Sequence, residues 1–346
     1  MLTPNSKKVL VFIKDNPDQS SKAIYEGSGV DASYATVKRI LSQLTDDGLV
    51  ISEGRSRGTT YRVSQAYGVL SPINLDTYFK KEIDEREVKE GYNLGLIKSV
   101  LPKVSLFTEY ELSRLNSLHS MYKKNVSELT ALEYGKELER LAIDLSWKSS
   151  QIEGNTYSLL ETERLLKEKE TAQGKKKEEA IMLLNHKSAL DFIIEEPSYI
   201  DPLSISRIED IHSLLMKELG VERNIRQRRI GITGTNYRPL DNEYQIREQM
   251  RSMCELVNSR SNVFEKALLL LVLISYIQAF VDGNKRTARI ISNAILISNG
   301  YCPISFRTVS PLDYKKGMLV FYEQNNMQAF KEIFIEQFEF SVKTYF

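Results

Sequence analysis

The stretch YIQAFVDGNKRTAR, residues 276–289, carries residue types that bind anions. A long apolar run ends in Asp-Gly-Asn, and a new helix is predicted to start near Asn284, which leaves free backbone N–H groups at its positive end. Gly283 lets a phosphate approach the backbone closely. Arg286 and Arg289 share one face of the opening turns, where the helix dipole disfavours each cation. The pattern therefore predicts an anion site.

Two other residues of this loop bear on its chemistry. Asp282 supplies the carboxylate oxygen that a hard cation such as Mg²⁺ prefers, and the Asn284 amide can donate hydrogen bonds. Gln278 stands where such a site would place a proton acceptor, yet an amide has no usable basicity near neutral pH. The simpler interpretation is a capped helix start with ordinary surface arginines, which is what a lone Asp-Gly-Asn turn usually means.

A second segment, WKSSQIEGNTYSLLETERLL (147–166), predicts a helix end followed by a helix start. The apolar stripe of the first helix consists of Leu138, Leu141, Leu145 and Ile152. Gly154 is a natural stop, and Ser158 to Glu161 forms a capping box for the next helix. Glu153 then lies at a carboxyl end, where the helix dipole disfavours a carboxylate. We expect a cation to meet it; a solvated glutamate at a frayed end is the alternative.

A third segment, RRIGITGTNYRPL (228–240), interrupts the helical periodicity that dominates from about residue 130 onward. Its β-branched residues, glycines and proline predict a hairpin or an extended flap. Residues 71–130 are charged but keep apolar residues at helical spacing, Leu94, Leu96, Ile97, Leu101, Leu106 and Phe107 among them. They are predicted to form a connector with helices of its own.

The first 66 residues follow a separate pattern of helix, helix–turn–helix and two alternating strands around a Gly/Ser/Arg tip. This order resembles a winged helix domain, whose third helix would enter a major groove. Residues 1–65 hold nine basic and seven acidic residues, a net charge of only +2. The residues that could still concentrate charge on one face are Lys38, Arg39, Arg55 and Arg57. Binding to DNA and contact with another protein both remain open.

Composition excludes several classes of protein. The net charge of +1 gives no global attraction to nucleic acid or membrane. Cys254 and Cys302 lie far apart, which argues against a disulfide scaffold or zinc module and predicts unreactive buried thiols. The longest apolar run, residues 267–277, is about half of the ~20 residues that span a bilayer and predicts a buried core helix. No secretory signal is recognisable, so a cytoplasmic protein without membrane contact is expected.

The chain is similar to Fic-domain proteins in three ordered motifs. QAFVDGNKRTAR resembles the signature HxFx[D/E]GN[G/K]RxxR at every fixed position except the first. Ser149 to Gly154 resembles the inhibitory motif [S/T]xxxE[G/N] of the same family, and residues 228–240 stand where the family has its substrate-docking flap. The resemblance spans roughly residues 130–346.

This resemblance implies a mainly α fold, namely a Fic-type helical core with a β-hairpin flap, beside a small N-terminal winged helix domain of α+β type. The implied boundaries are 1–66 for the winged helix, 67–130 for the connector and 131–346 for the Fic domain. Within the last, the inhibitory helix covers about 138–153, the flap 228–240 and the Fic loop 278–289.

Most characterised Fic proteins transfer AMP from ATP to a protein hydroxyl, and the matching positions carry the implied roles. ATP would be bound by Gly283, Asn284, Lys285, Arg286 and Arg289, with Mg²⁺ on Asp282 and with Arg286 also neutralising charge on the pyrophosphate side. Inhibition would rest on Ser149, Glu153 and Gly154, with Glu153 paired to Arg289. The target segment would dock on Ile230, Gly231, Ile232, Thr233, Gly234 and Thr235.

Two departures separate this chain from the family pattern. Gln278 replaces the histidine that serves as general base, and the loss of such a base typically costs ~10²–10⁴ in rate. Lys285 stands where the AMP-transferring branch usually has glycine, and this lysine resembles the Doc toxins, which transfer the γ-phosphate; Arg289, however, is generally missing from them.

Three functions therefore follow as hypotheses. The first is an autoinhibited protein adenylyltransferase that modifies a Ser, Thr or Tyr hydroxyl of a target protein or of its own chain. The second is a catalytically impaired regulator in which ATP occupancy alters DNA binding by the winged helix. A Doc-like kinase is the third. The resemblance also implies a homodimer as one expected assembly, because Fic proteins often dimerise.

Overall fold

The computed structural model describes residues 3–89 and 91–346. Helices form most of this chain and the only sheet among the described residues has three short strands, which confirms the predicted mainly α fold. None of the described helices is both long and apolar enough to cross a membrane.

The N-terminal unit contains three helices and the sheet. In chain order its elements are α1 (Pro4–Asp15), β1 (Gln19–Ser20), α2 (Ser21–Gly27), α3 (Tyr34–Asp46), β2 (Val50–Glu53) and β3 (Thr60–Val63). Thr3, Ser20 and Ser33 begin the helices because each side chain accepts a hydrogen bond from a backbone N–H three residues on. The strands pair antiparallel in the order β1-β3-β2. The three helices and the last two strands follow the order expected from the sequence, whereas β1 was not expected. The assignment of this unit as a winged helix stays a prediction.

The connector is mostly helical but irregular. It contains α4 (Gln65–Leu70), α5 (Leu75–Tyr78), 3₁₀ turns at Ile83–Glu85 and Leu101–Lys103, a π-helical turn at Leu96–Val100 and the long α6 (Glu109–Glu128). Its apolar residues Leu96, Ile97, Leu101, Leu106 and Phe107 are buried. Leu94, by contrast, is half exposed, because it lies in the non-helical stretch before the π-helical turn.

Nine helices follow in the described part beyond residue 130. They are α7 (Ala131–Ile152), α8 (Leu159–Glu168), α9 (Lys177–Glu195), α10 (Ile205–Met216), α11 (Glu243–Ser259), α12 (Val263–Ile277), α13 (Asn284–Ser298), α14 (Pro311–Gln324) and α15 (Gln328–Tyr345). A 3₁₀ turn, Pro197–Ile200, stands between α9 and α10.

Helix α12 forms the centre of this bundle. Every residue from 267 to 277 is buried, as expected for the longest apolar run of the sequence. It packs most extensively against α13, and also against α11, α14 and α15. A helix that is apolar on all sides must be surrounded, because each of its faces gains by leaving water. The loop between α12 and α13 is therefore attached directly to the buried central helix of the bundle.

Residues 228–240 form an extended flap with a turn at Thr233–Gly234 rather than a β-hairpin. Its two limbs are not paired as strands, so the hairpin expected from the resemblance is not formed. The ladder contact that the flap does make is a single parallel bridge between Arg238 and Gly91 of the connector. The proline at 239 explains part of this difference, because it removes one N–H donor from the second limb.

Candidate functional site

The loop between α12 and α13 is closed by one asparagine. Asn284 Oδ1 accepts a hydrogen bond from Phe280 N (2.9 Å), and Asn284 Nδ2 donates to Phe280 O (2.8 Å). The sequence predicts that this amide donates to a phosphate. In the structure its oxygen and its nitrogen both bond to the backbone of Phe280. Phe280 is fully buried and anchors the loop to the core. The conformation of the loop is thus fixed before any ligand arrives.

Gly283 has a structural reason to be glycine. Its φ is +81°, and a Cβ at this position would lie 2.6 Å from Met216 Cε and 2.8 Å from Met216 Sδ. One face of the glycine is therefore filled by Met216 of α10. The positive φ is the stronger reason for glycine, because the close contact is with the flexible end of Met216, which can shift.

Gln278 is held by three hydrogen bonds at the end of α12. Its Oε1 accepts from Asn284 Nδ2 (3.1 Å), while its Nε2 donates to Ser275 O (2.6 Å) and to the Tyr322 hydroxyl (3.3 Å). The residue adopts a left-handed conformation with φ +53° and is buried. Since the amide is both non-basic and engaged at each end, Gln278 orients the loop and accepts no proton.

Arg286 is buried, and only part of its guanidinium group is hydrogen-bonded. Its Nη2 lies 2.9 Å from Asp282 Oδ2, while Nε and Nη1 have no hydrogen-bond partner within residues 3–89 and 91–346. Asp282 Oδ1 accepts from Gly283 N (2.6 Å), and the aspartate side chain is 65% exposed. The exposed carboxylate of Asp282 suits a cation, and the guanidinium of Arg286 suits an anion. Both lie at one helix start, so together they suit an anionic ligand that carries a bound cation.

Arg289, one turn further along α13, is fully buried and faces the end of α7. Its Nε donates to Ser149 Oγ (2.8 Å), and its Nη2 donates to Ser149 O (3.0 Å) and to Glu153 Oε1 (2.8 Å). The Tyr314 ring lies 5.1 Å from the guanidinium carbon. The structure thus joins the two charges that the sequence placed at unfavourable helix ends.

A second cation also reaches Glu153. Lys285 Nζ lies 2.7 Å from Glu153 Oε2, so each carboxylate oxygen faces a cation. Burial alone would raise the pKa of Glu153, but Arg289 and Lys285 outweigh it and lower that pKa to about 2. The glutamate caps the end of α7, and Gly154, with φ +96°, turns the chain away. Glu153 is therefore ionised at any physiological pH.

The loop, the end of α7, the flap and α14 enclose a cavity of about 380 Å³. The loop contributes Gln278 and residues 281–285, α7 contributes Ile152 with the adjoining Glu153, and the flap contributes residues 230–233. Gly234 and Thr235, also expected in the docking segment, do not line it. Helix α14 adds Tyr314, Lys315, Met318, Leu319 and Tyr322, none of which the motifs indicated.

Arg226 connects the flap to the loop and was missed in the sequence. It is buried, and its Nε donates to Gln278 O (2.7 Å) while Nη1 donates to Arg228 O (2.7 Å). Nη2 donates to Leu240 O at the other end of the flap. Burial lowers the pKa of Arg226. No local sequence signal marks this residue, because its three partners lie in two different segments.

Two histidines that are distant in sequence lie beside the loop, yet neither lines the cavity. The His212 ring stacks on Phe280 at 3.8 Å, and its Nε2 lies 2.9 Å from Asp282 O. Burial lowers the pKa of His212 to about 4. Burial, followed by Arg289 and Arg286, keeps the pKa of His186 well below its ordinary value. Both rings have a structural role, and neither replaces the missing general base.

The remaining predicted positions lie elsewhere. Lys38, Arg39 and Arg55 are exposed on the N-terminal unit, and the side chain of Arg57 lies outside the described residues. Cys254 and Cys302 are free and buried, and burial raises the pKa of each thiol. No group of three or more His, Cys, Asp or Glu side chains suited to a metal ion occurs in the described part of the chain.

Comparisons with known proteins find one family that is similar to the segment around this loop. The sequence model of the Fic/DOC family matches residues 202–296. Protein adenylyltransferase fic-1 of Caenorhabditis elegans is 24% identical over 211 residues, 58% of this chain. Protein adenylyltransferase Fic of Nematostella vectensis is 29% identical over 180 residues, 49% of this chain. Each match spans 40% of the length of the relative.

Solved structures agree on the fold. A fragment of Fic-1 from C. elegans superposes with a TM-score of 0.60 at 21% identity, covering 68% of this chain and 72% of that one. A Fic domain containing signaling protein from Bacteroides thetaiotaomicron superposes with a TM-score of 0.56 at 19% identity, covering 67% of this chain and 95% of that one. At these identities the likeness concerns the fold.

Proposed function

We propose, from the premise that residues 202–296 of this chain form a Fic/DOC family domain, that the protein is an autoinhibited protein adenylyltransferase. Its cavity would bind ATP, and the AMP moiety would pass to a hydroxyl of a target protein or of this chain. The relatives named as protein adenylyltransferases support the reaction class.

The contact between Arg289 and Glu153 carries this proposal. Arg289 is fully buried near the start of α13 and is paired to a glutamate from another helix. We interpret it as a triphosphate-binding group that an internal anion holds, and Glu153, which lines the cavity, stands between it and a ligand. Arg286 supports the same interpretation, because two of its nitrogens have no hydrogen-bond partner in the described part of the chain. The residue is buried directly behind the cavity lining, so its charge would act on a phosphate through the loop. In the inhibited state Glu153 would take the place of the γ-phosphate on Arg289.

The residues present fit one Mg²⁺ ion bound together with ATP. Asp282 is the sole acidic residue of the 278–289 loop and its side chain is largely exposed. A single carboxylate suits Mg²⁺, which is commonly held by one or two carboxylates plus substrate phosphates. When bound, the ion would neutralise charge on the phosphate oxygens.

The transfer would proceed by attack of the target hydroxyl oxygen on the α-phosphorus of ATP. The bond between that phosphorus and the bridging oxygen breaks, and pyrophosphate leaves. Arg286 would stabilise the charge that develops on the leaving group. The hydroxyl proton goes to a phosphate oxygen or to water, because Gln278 cannot accept it. Such a reaction depends mainly on positioning and charge stabilisation, so it is slowed rather than prevented.

The flap supports a protein target. Residues 230–233 line the cavity with extended backbone, whereas the second limb already contacts the connector through the Arg238–Gly91 bridge. An extended target segment could pair with the first limb through main-chain hydrogen bonds, which require little side-chain specificity. That arrangement would bring a target hydroxyl next to the loop.

A regulator without turnover is the second candidate, and Gln278 favours it. The three hydrogen bonds of its amide stabilise the loop. The same residue leaves the site without a general base. In this alternative, ATP binding would alter DNA binding by the N-terminal unit. A kinase that transfers the γ-phosphate, suggested by Lys285 alone, is the third outcome.

Labelled ATP separates these candidates. Wild type, Glu153→Gly and Glu153→Gly/Gln278→His are incubated in cell extract with ATP labelled at the α- or the γ-phosphate. We expect protein labelling from the α position with Glu153→Gly, and stronger labelling by about 10²-fold once the histidine is restored. Glu139→Ala, which removes an exposed carboxylate from the same helix, serves as the matched control and should behave as wild type.

Other outcomes assign the other candidates. Label that comes only from the γ position would make the protein a kinase. Labelling that requires the histidine variant would overturn the enzyme proposal for the natural chain and leave the regulator, which a DNA-binding assay with and without ATP then tests.

A further inference from the structure

The flap is held at its turn by a residue of the connector. Arg86 Nη2 donates to Gly234 O at 2.8 Å, and the arginine is 8% exposed. A second contact joins the same two segments, since Asn236 Nδ2 donates to Asp84 Oδ1 (2.9 Å). Because the limbs of the flap form no ladder with each other, the turn and the second limb are held by contacts with other segments. The connector supplies these two contacts and the Arg238–Gly91 bridge, while Tyr237 and Leu240 are held by Tyr276 and Arg226.

Arg86 is itself locked in place. Its Nη2 lies 3.4 Å from Glu323 Oε1, and the Phe79 ring lies 5.1 Å from its guanidinium carbon. Glu323, at the end of α14, is fully buried and also accepts a hydrogen bond from the Tyr78 hydroxyl (2.6 Å). A buried arginine with a buried counter-charge has few alternative positions, so the donor that faces Gly234 is preorganised.

The contact between Arg86 and Gly234 holds the turn of the flap next to the cavity wall. Gly234 lies against Lys315 and Leu319 of α14, both of which line the cavity. Arg86 therefore joins three elements, namely the connector, the flap turn and the helix that forms one cavity wall. Arg86 does not itself line the cavity, so its influence on the site passes through the flap.

We infer that Arg86 is a positioning residue for the target-docking flap and that the connector, through it, sets how the flap presents residues 230–233 to a target. The role of the flap as a docking segment for a target rests on the proposed function. The position of the flap itself is a property of the free protein and is measurable without ATP, target or turnover.

Hydrogen exchange tests this inference in a variant that avoids a stranded charge. Arg86→Met/Glu323→Gln removes both partners of the ion pair together, because Arg86→Met alone would leave a buried carboxylate unpaired. Arg114→Met/Glu339→Gln, which removes a partly exposed ion pair of the same two residue types between α6 and α15, is the matched control, and it leaves Arg86 and its donor to Gly234 intact. We expect amide exchange across residues 230–236 to rise by about tenfold in the double variant and to stay near wild type in the control.

Two results would overturn the inference. One is flap exchange that does not change in the double variant. The other is exchange that rises equally in α12 and α13, which would make Arg86 a general stabilising residue. In parallel, calorimetry should give the same affinity for MgATP in the double variant and in wild type. If neither protein binds MgATP, the proposed function fails, while the exchange measurement still decides the role of Arg86.

Discussion

At the scale of single residues, Glu153 is the most informative position. Its two oxygens face Arg289 and Lys285, and its pKa is lowered to about 2 from an ordinary value near 4.5. A depressed pKa means that the ionised form stabilises the fold above the ordinary pKa, and that this stabilisation is lost as the pH falls from about 4.5 toward 2.

This predicts a specific acid sensitivity. Between pH 6 and pH 3, wild type should lose more free energy of unfolding than Glu153→Gln, by an amount on the order of 2 kcal/mol. Urea unfolding at the two pH values measures the difference. Equal losses in both proteins would show that the ion pairs of Glu153 do not stabilise the fold.

Gly283 gives a second prediction at this scale. Gly283→Ala should destabilise the protein by about 1–3 kcal/mol, because φ is +81°, a conformation that L side chains rarely adopt, and because Met216 must also shift away from the added methyl. Gly231→Ala is the matched control, since a Cβ there meets nothing within 4 Å. Thermal unfolding compares the two variants. A Gly283→Ala protein as stable as the control would contradict this account of the loop.

The sequence predicted some of these residues and not others for a physical reason. Glu153 and Arg289 each stand at the helix end where the dipole disfavours their charge, and that signal is local. Arg226, Arg86 and Tyr322 carry no such signal, because their partners are brought together only by tertiary packing. The amide of Asn284 was assigned to a ligand, and only the geometry reveals that it closes the loop.

At the scale of elements, the site depends on how the flap joins the loop. Helix boundaries near the site followed from local chemistry: the capping box at Ser158 begins α8, and Gly154 ends the segment before it. The flap was less predictable, because its shape is set by contacts with the connector and with Arg226 rather than by pairing of its own limbs.

Arg226 provides the element-scale prediction. Arg226→Met would leave the carbonyls of Gln278, Arg228 and Leu240 without this donor, so a loss of about 3 kcal/mol or more in unfolding free energy is expected. Arg229→Met, which replaces an exposed arginine of the same flap, should change stability by less than about 0.5 kcal/mol. Urea unfolding of both variants is the measurement, and similar values for the two would refute the role of Arg226.

At the scale of the whole molecule, the N-terminal unit and the helical bundle that contains residues 202–296, which match the Fic/DOC family model, are joined by a connector that also touches the flap. The exposed Lys38 and Arg39 of α3 make DNA binding a testable proposal. If α3 contacts phosphates, Lys38→Ala/Arg39→Ala should weaken binding to duplex DNA and reduce the slope of log affinity against log salt by about 2.

Fluorescence polarisation at several salt concentrations measures this slope. Lys80→Ala, at an exposed position of the connector, is the control and should leave it unchanged. A wild-type protein that binds no duplex DNA would favour a protein-contact role for the N-terminal unit.

The central claim is that Glu153 occupies the phosphate-binding end of an ATP site, and titration calorimetry tests it most directly. We predict that Glu153→Gly binds MgATP about tenfold more tightly than wild type, that MgADP gains less, and that the added Arg289→Gln change removes the gain. Equal MgATP affinity in wild type and in Glu153→Gly, or a gain that survives loss of Arg289, would contradict the account.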